Sequence, residues 1–162
     1  MYPGLQILSV MLVAVAMALS LAHALEFPGK LRLSETEYRA VQPIYYPGFT
    51  IGALSEPLGM LSLLLLAVFT PREGLAFWLI AAALALLIAM HAVYWLVTHP
   101  VNKVWLKDTK VSGAGGRFFG VGGTQAPKLT WEEARDRWEY SHVARAALSV
   151  GSLLLLVTAM AV

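Results

Sequence analysis

All four histidines of this chain, and three of its glutamates, lie towards the same end of its apolar runs. His23 closes the first run, His91 and His99 lie in the last turns of the third, and His142 opens the fourth. Glu26, Glu56 and Glu139 accompany them on the first, second and fourth runs. Ionisable groups inside or just under a bilayer are costly, so they mark functional sites by default. Glu56 and His91 are the deepest. At about 1.5 Å of rise per residue, Glu56 lies about 18 Å from Ile44, close to the midplane of a hydrocarbon core about 30 Å thick. His91 lies more than two helical turns before Pro100. A carboxyl group at that depth takes a proton or finds a partner. Pro57 follows Glu56 directly and is expected to release the carbonyl of Ala53, a further acceptor near the carboxyl group.

Spacing suggests two chemistries. His23-Ala24-Leu25-Glu26 and Glu139-Tyr140-Ser141-His142 place a histidine and a glutamate three apart, on one helix face. Facing Glu-x-x-His pairs with further glutamates build di-iron or di-manganese sites in helix bundles. His23, Glu26, Glu56, His91, Glu139 and His142 are therefore the candidate metal ligands. Their donor set admits iron, manganese or copper, or no metal at all. Against this reading, Lys30 and Arg135 stand four residues from Glu26 and Glu139, where plain interfacial ion pairs would form. The other chemistry is proton transfer. His142, oriented by Glu139, serves as base or ligand, with Glu56 and His91 as the inner catalytic pair. Two polar stripes could line a pocket above Glu56. One is His91, Trp95, Thr98, His99 and Asn102; the other is Trp131, Arg135, Trp138, His142 and Arg145. Trp95, Trp138, Asn102, Arg145 and Tyr45 are the candidate substrate contacts, for a flat apolar ligand with one or two oxygens. The tryptophans also read as an aromatic belt.

The elements that position these groups follow from composition. Of 162 residues, 58% are hydrophobic and 14% charged, and mean hydropathy is +0.65, against about 25% charged residues in soluble domains. This describes an integral membrane protein with an all-α fold. The absence of cysteine excludes disulfides, thiolate nucleophiles and cysteine-ligated metal centres. The net charge of +2 is explained by basic loops beside membrane spans, so no nucleic acid is expected as a partner. Four runs are long enough to span as helices, at about 5–25, 44–69, 75–98 and 141–162. They form a single domain, 1–162, a four-helix bundle in the bilayer. Ala22-His23-Ala24 resembles a signal-cleavage site, but no Lys or Arg precedes the first run, so that run is read as an uncleaved span.

Connections 26–43 and 99–140 are long, whereas Thr70-Pro71-Arg72-Glu73-Gly74 is a tight turn. Ser34-Glu35-Thr36-Glu37 and Thr130-Trp131-Glu132-Glu133 are capping boxes. The first starts a short helix in the first connection. The second starts a helix that runs unbroken into the fourth span and extends it out of the membrane. Residues 113–123 hold six glycines and are expected to be mobile. Gly48 and Gly52 form a GxxxG that permits close helix approach. The two long connections, with the start of span four, hold 11 of the 12 Lys and Arg residues. The positive-inside rule then puts both connections in the cytoplasm and both termini outside, as expected for a bacterial inner membrane.

Several strings resemble the anthrone oxygenase-like family of small four-span membrane proteins. They are His23 to Leu31, Gln42 to Phe49, Pro100-Val101-Asn102 and Trp138-Glu139-x-x-His142-x-x-Arg145. The resemblance implies oxygen chemistry on an anthrone or another apolar aromatic, without a well-defined cofactor. It carries over Asn102, Trp138, His142 and Arg145. The expected function is thus an oxygenase-like membrane oxidoreductase acting on an aromatic or quinone-like molecule in a cytoplasm-facing pocket. Two rivals stand beside it. One is a non-catalytic subunit with a membrane-protein partner, or a binder of quinone, pigment or haem. The other is a proton pathway through Glu56, for which the outer half of the bundle offers few polar groups.

Overall fold

The computed structural model describes residues 2–45, 47–105 and 128–162, with Trp105 by its backbone only. The glycine-rich stretch 113–123, and Tyr46, lie outside the described residues. Every regular element among the described residues is helical: α1 (Pro3–Lys30), α2 (Glu35–Val41), a 3-10 turn (Gln42–Tyr45), α3 (Gly48–Gly52), α4 (Ser55–Phe69), α5 (Leu75–Val93), a π-helical turn (Tyr94–Thr98), α6 (His99–Trp105) and α7 (Trp131–Ala161). Four helical stretches are long and apolar enough to cross a membrane: Pro3–Lys30, Gly48–Phe69, Leu75–Val104 and Trp131–Ala161. The chain is an integral, multi-pass membrane protein built as a four-helix bundle.

Both capping boxes form. Ser34 and Glu37 satisfy each other's backbone N–H groups at the start of α2, and Thr130 and Glu133 do so at the start of α7. α7 then runs for 31 residues, about 46 Å at 1.5 Å per residue, longer than a hydrocarbon core of about 30 Å. Three boundaries differ from the sequence expectation. α1 continues to Lys30 with Pro28 inside it, so Glu26 and Lys30 stand on the helix rather than in a connection. Span two is broken at Ala53–Leu54, and Glu56 lies in the first turn of α4. There its carboxylate complements the helix dipole. The carbonyl of Ala53 is not left over for the carboxyl group: the Glu56 N–H itself donates to it at 3.1 Å. Span three does not end at Thr98. Pro100 has no N–H to give, and the helix passes it by a π-helical turn, in which the His99 N–H donates to the Tyr94 carbonyl. This extra residue per turn sets the direction of Thr98 and Asn102, which both meet α7.

Around the bundle the neighbours run α1, α4, α5, α7 and back to α1, so α4 and α7 occupy opposite corners. Val13, Ala16, Leu63, Leu66, Ile80, Leu87, Met90 and Leu156 fill the half near the 70–74 turn. Tyr38, Tyr45, Val101, Ala134 and Trp138 close the other end. Between the two clusters lies a polar layer. The expected GxxxG packing is half realised. A Cβ on Gly48 would meet nothing within 4 Å, whereas one on Gly52 would strike Leu19 and one on Gly59 would lie 3.2 Å from Leu87 and 3.7 Å from Leu12.

Candidate functional site

The polar layer holds two groups. The first joins three spans. Glu56 on α4 receives a hydrogen bond from Arg145 on α7 at one carboxylate oxygen, and lies 2.9 Å from His91 Nδ1 at the other. Arg145 thus reaches across the diagonal of the bundle, and its guanidinium also lies 5.3 Å over the Tyr94 ring. Trp95 donates its indole N–H to His91 Nε2 at 2.8 Å. An indole N–H only donates and a carboxylate only accepts. Nε2 of His91 therefore carries a lone pair, and Nδ1 carries the proton given to Glu56. The donor pattern is that of a His91 with its proton on Nδ1 and a Glu56 carboxylate that accepts at both oxygens. Burial is graded along this relay. Trp95 is 44% exposed, the His91 side chain 27%, and the Glu56 side chain only 6%.

The second group surrounds Lys30, which is buried although its residue type rarely is. Its ammonium lies 3.0 Å from Glu26 and 3.5 Å from Glu139, and 4.8 Å from the centres of the Tyr45 and Trp138 rings. Tyr45 donates to Glu26 at 2.6 Å and Tyr38 donates to Glu139 at 2.7 Å. Burial, then the Glu139 carboxylate, push the Tyr38 phenol well above its ordinary range, so it stays a donor. One Glu139 oxygen is fully buried without a hydrogen bond.

His142 stands between the groups. Its Nδ1 lies 2.9 Å from the Trp138 carbonyl, to which it donates, and its ring packs 4.0 Å from Trp138 and 4.2 Å from His23, centre to centre. Glu139 does not orient it. The Glu139 carboxylate is drawn instead to Tyr38 and Lys30, although the two residues share the same helix turn. Nor does Arg135 pair with Glu139: it bonds its neighbour Asp136. Asn102 accepts the Trp138 indole N–H at 2.8 Å. Ser141 spends its proton on the Trp138 carbonyl, so Thr98 donates to Ser141 at 2.8 Å.

The six expected metal ligands therefore divide. Glu56 and His91 face Arg145; Glu26 and Glu139 face Lys30; His23 and His142 stack between aromatic rings. Among the described residues, no three histidine or acidic side chains gather as a metal site needs. Cationic side chains stand where a metal would have to bind both carboxylate groups, and the donor set does not fit one. The two tryptophans expected to contact substrate also separate: Trp95 lies on the outer face, while Trp138 is 4% exposed.

Three partners escaped the sequence reading. Nothing in the sequence singles out Tyr38 or Tyr94, and Arg145 is expected there as a substrate contact rather than as the partner of Glu56. A lone arginine in the first turns of an apolar run was the available signal for that pairing.

Fold and site together define a multi-pass helical membrane protein with a buried Arg–Glu–His relay that ends at an unprotonated imidazole nitrogen. Residues 48–155 match the model of the anthrone oxygenase family, and the chain belongs to that family. The matched stretch contains the whole relay, whereas His23, Glu26 and Lys30 lie before it. No curated protein and no solved structure matches the chain.

Proposed function

We propose that the protein is a membrane-embedded oxygenase-like oxidoreductase that oxidises an anthrone-type or related quinone-forming aromatic with dioxygen. The observation that supports this most is the tautomer of His91. Its Nε2 lone pair is a base, its Nδ1–H is held by an ionised carboxylate, and the family is one of oxygen chemistry on aromatics. The Glu56 carboxylate stabilises the imidazolium that forms when Nε2 takes a proton, the logic by which an acid orients and supports a catalytic histidine.

The reaction starts at a methylene activated by a ring carbonyl. Its proton moves to His91 Nε2, and the electron pair spreads to the carbonyl oxygen as an enolate. Arg145 Nε–H, buried and without a hydrogen bond, is the donor available to that oxygen. The carbanion carbon bonds to dioxygen and becomes a hydroperoxide after protonation. Loss of the second C–H proton and cleavage of the O–O bond then release water and leave a new carbonyl. One dioxygen is consumed per methylene oxidised, and one oxygen atom leaves as water. Asn102, Trp138, His142 and Tyr45 are the remaining candidate contacts to the substrate in this reading.

On the charge distribution of the connections, the polar end faces the cytoplasm, in a bacterial inner membrane. The test is oxygen uptake with anthrone by the protein in lipid nanodiscs. Anthraquinone should form in equal amount to the oxygen consumed. A rate no greater than that of protein-free nanodiscs refutes the assignment.

A further inference from the structure

His91 Nε2, the nitrogen that must accept the proton, is already occupied by the Trp95 indole N–H at 2.8 Å. No substrate can use that lone pair until the indole leaves. We propose that Trp95 is a shutter on the base, and that substrate reaches the base sideways, through the outer face of the bundle within the bilayer. This rests on the assignment of His91 as the base and adds a gating residue and a route.

The route follows from what is closed. One end of the polar layer is sealed by Tyr38, Val101, Ala134 and Trp138, each below 5% exposure. The other end is sealed by Val13, Leu63, Leu87 and Met90, each fully buried. Among the described residues, exposure along the relay rises in one direction, from Glu56 through His91 to Trp95. Trp95 lies within the membrane-crossing stretch Leu75–Val104, and its neighbour Leu96 is 75% exposed, an apolar surface that suits hydrocarbon. The shutter also has a hinge. Trp95 sits in the π-helical turn Tyr94–Thr98, and such turns interrupt the regular ladder and concentrate at functional sites. Its ring rests on Tyr94 and His99, at 5.2 and 4.9 Å between centres, so a swinging indole stays against aromatic neighbours. The ligand class that replaces it is planar, apolar and carries one acidic C–H or O–H donor.

The experiment measures anthrone binding to the protein in nanodiscs without oxygen, so that no turnover intervenes. Trp95→Phe keeps a ring but removes the competing N–H. One neutral hydrogen bond is worth about 0.5–1.5 kcal/mol, so anthrone should bind roughly two- to thirteenfold more tightly. Unchanged or weaker binding overturns the shutter. The route is read from the Trp95 indole N–H resonance, identified by its loss in Trp95→Phe. Nitroxide on lipid acyl chains should broaden it more than a water-soluble gadolinium chelate does, and the reverse order overturns sideways access. The base assignment is decided separately, by turnover of His91→Gln in air.

Discussion

Removing the carboxylate of Glu56 together with its partner should cost less than the sum of removing each alone. The Glu56 and Arg145 side chains are 6% and 8% exposed and form a direct ion pair. At an effective dielectric near 20, opposite charges 4 Å apart attract by about 4 kcal/mol. Breaking a buried pair from one side costs about 3–5 kcal/mol, because the other charge is stranded. Glu56→Gln keeps the shape and one acceptor, which puts it near the lower limit, about 3 kcal/mol. Arg145→Met leaves Glu56 with only the His91 donor and should cost about the same. The double variant contains no stranded charge, so its loss should fall short of the sum by about 2–3 kcal/mol, the upper range for coupled neighbours. The assay is a double-mutant cycle of unfolding free energies, measured by steric trapping in lipid. Additivity within about 0.5 kcal/mol would show that the pair is not coupled and would refute the Glu56–Arg145 ion pair as a stabilising contact.

Three further outcomes follow from the same structure. Lys30→Met strands the carboxylates of Glu26 and Glu139 and should destabilise by about 3–5 kcal/mol, with part of the loss recovered by adding Glu139→Gln; thermal unfolding of both variants checks this. Gly59→Leu drives a side chain into Leu87 and Leu12 and should cost about 1–3 kcal/mol by overpacking, whereas Gly48→Leu meets open space and should leave the unfolding midpoint unchanged. Hydrogen bonds from the Ser34 side chain, then from its backbone, hold the Glu37 carboxyl below its ordinary value. Because the folded value is depressed, the capping box stabilises α2 above the ordinary glutamate value of about 4.3 and loses that effect as pH falls through the lower, folded value. Amide protection factors of residues 35–41, corrected for the intrinsic pH dependence of exchange, should therefore fall in acid, and Ser34→Ala should abolish that fall.

Much of the architecture was legible because it depends on local chemistry. Length and hydropathy fix the spans, Ser34 and Thr130 announce their helices, and the 70–74 turn forces its neighbours antiparallel. Pro28 and Pro100 were less legible. A proline reads as a stop, yet Pro28 continues a helix and Pro100 is passed by a π-helical turn. The site was legible in membership rather than in pairing. Helical period shows which face of α7 carries Trp138, His142 and Arg145, but not which helix stands opposite. Arg145 meets Glu56 because α4 lies diagonally across the bundle. Glu139 meets Tyr38, which is 101 residues away in sequence, and not His142 one turn along. Those choices are made by tertiary packing, which also buries Lys30 between two carboxylates.

The central claim is that the Nε2 lone pair of His91, backed by Glu56, removes a proton from an aromatic substrate that then meets dioxygen. The direct measurement is the rate of anthrone-dependent oxygen uptake by His91→Gln against the unaltered protein, in nanodiscs and with equal helical content verified. General-base catalysis contributes about 10²–10⁴-fold, and the rate should fall by that factor. An unchanged rate in His91→Gln would contradict the claim.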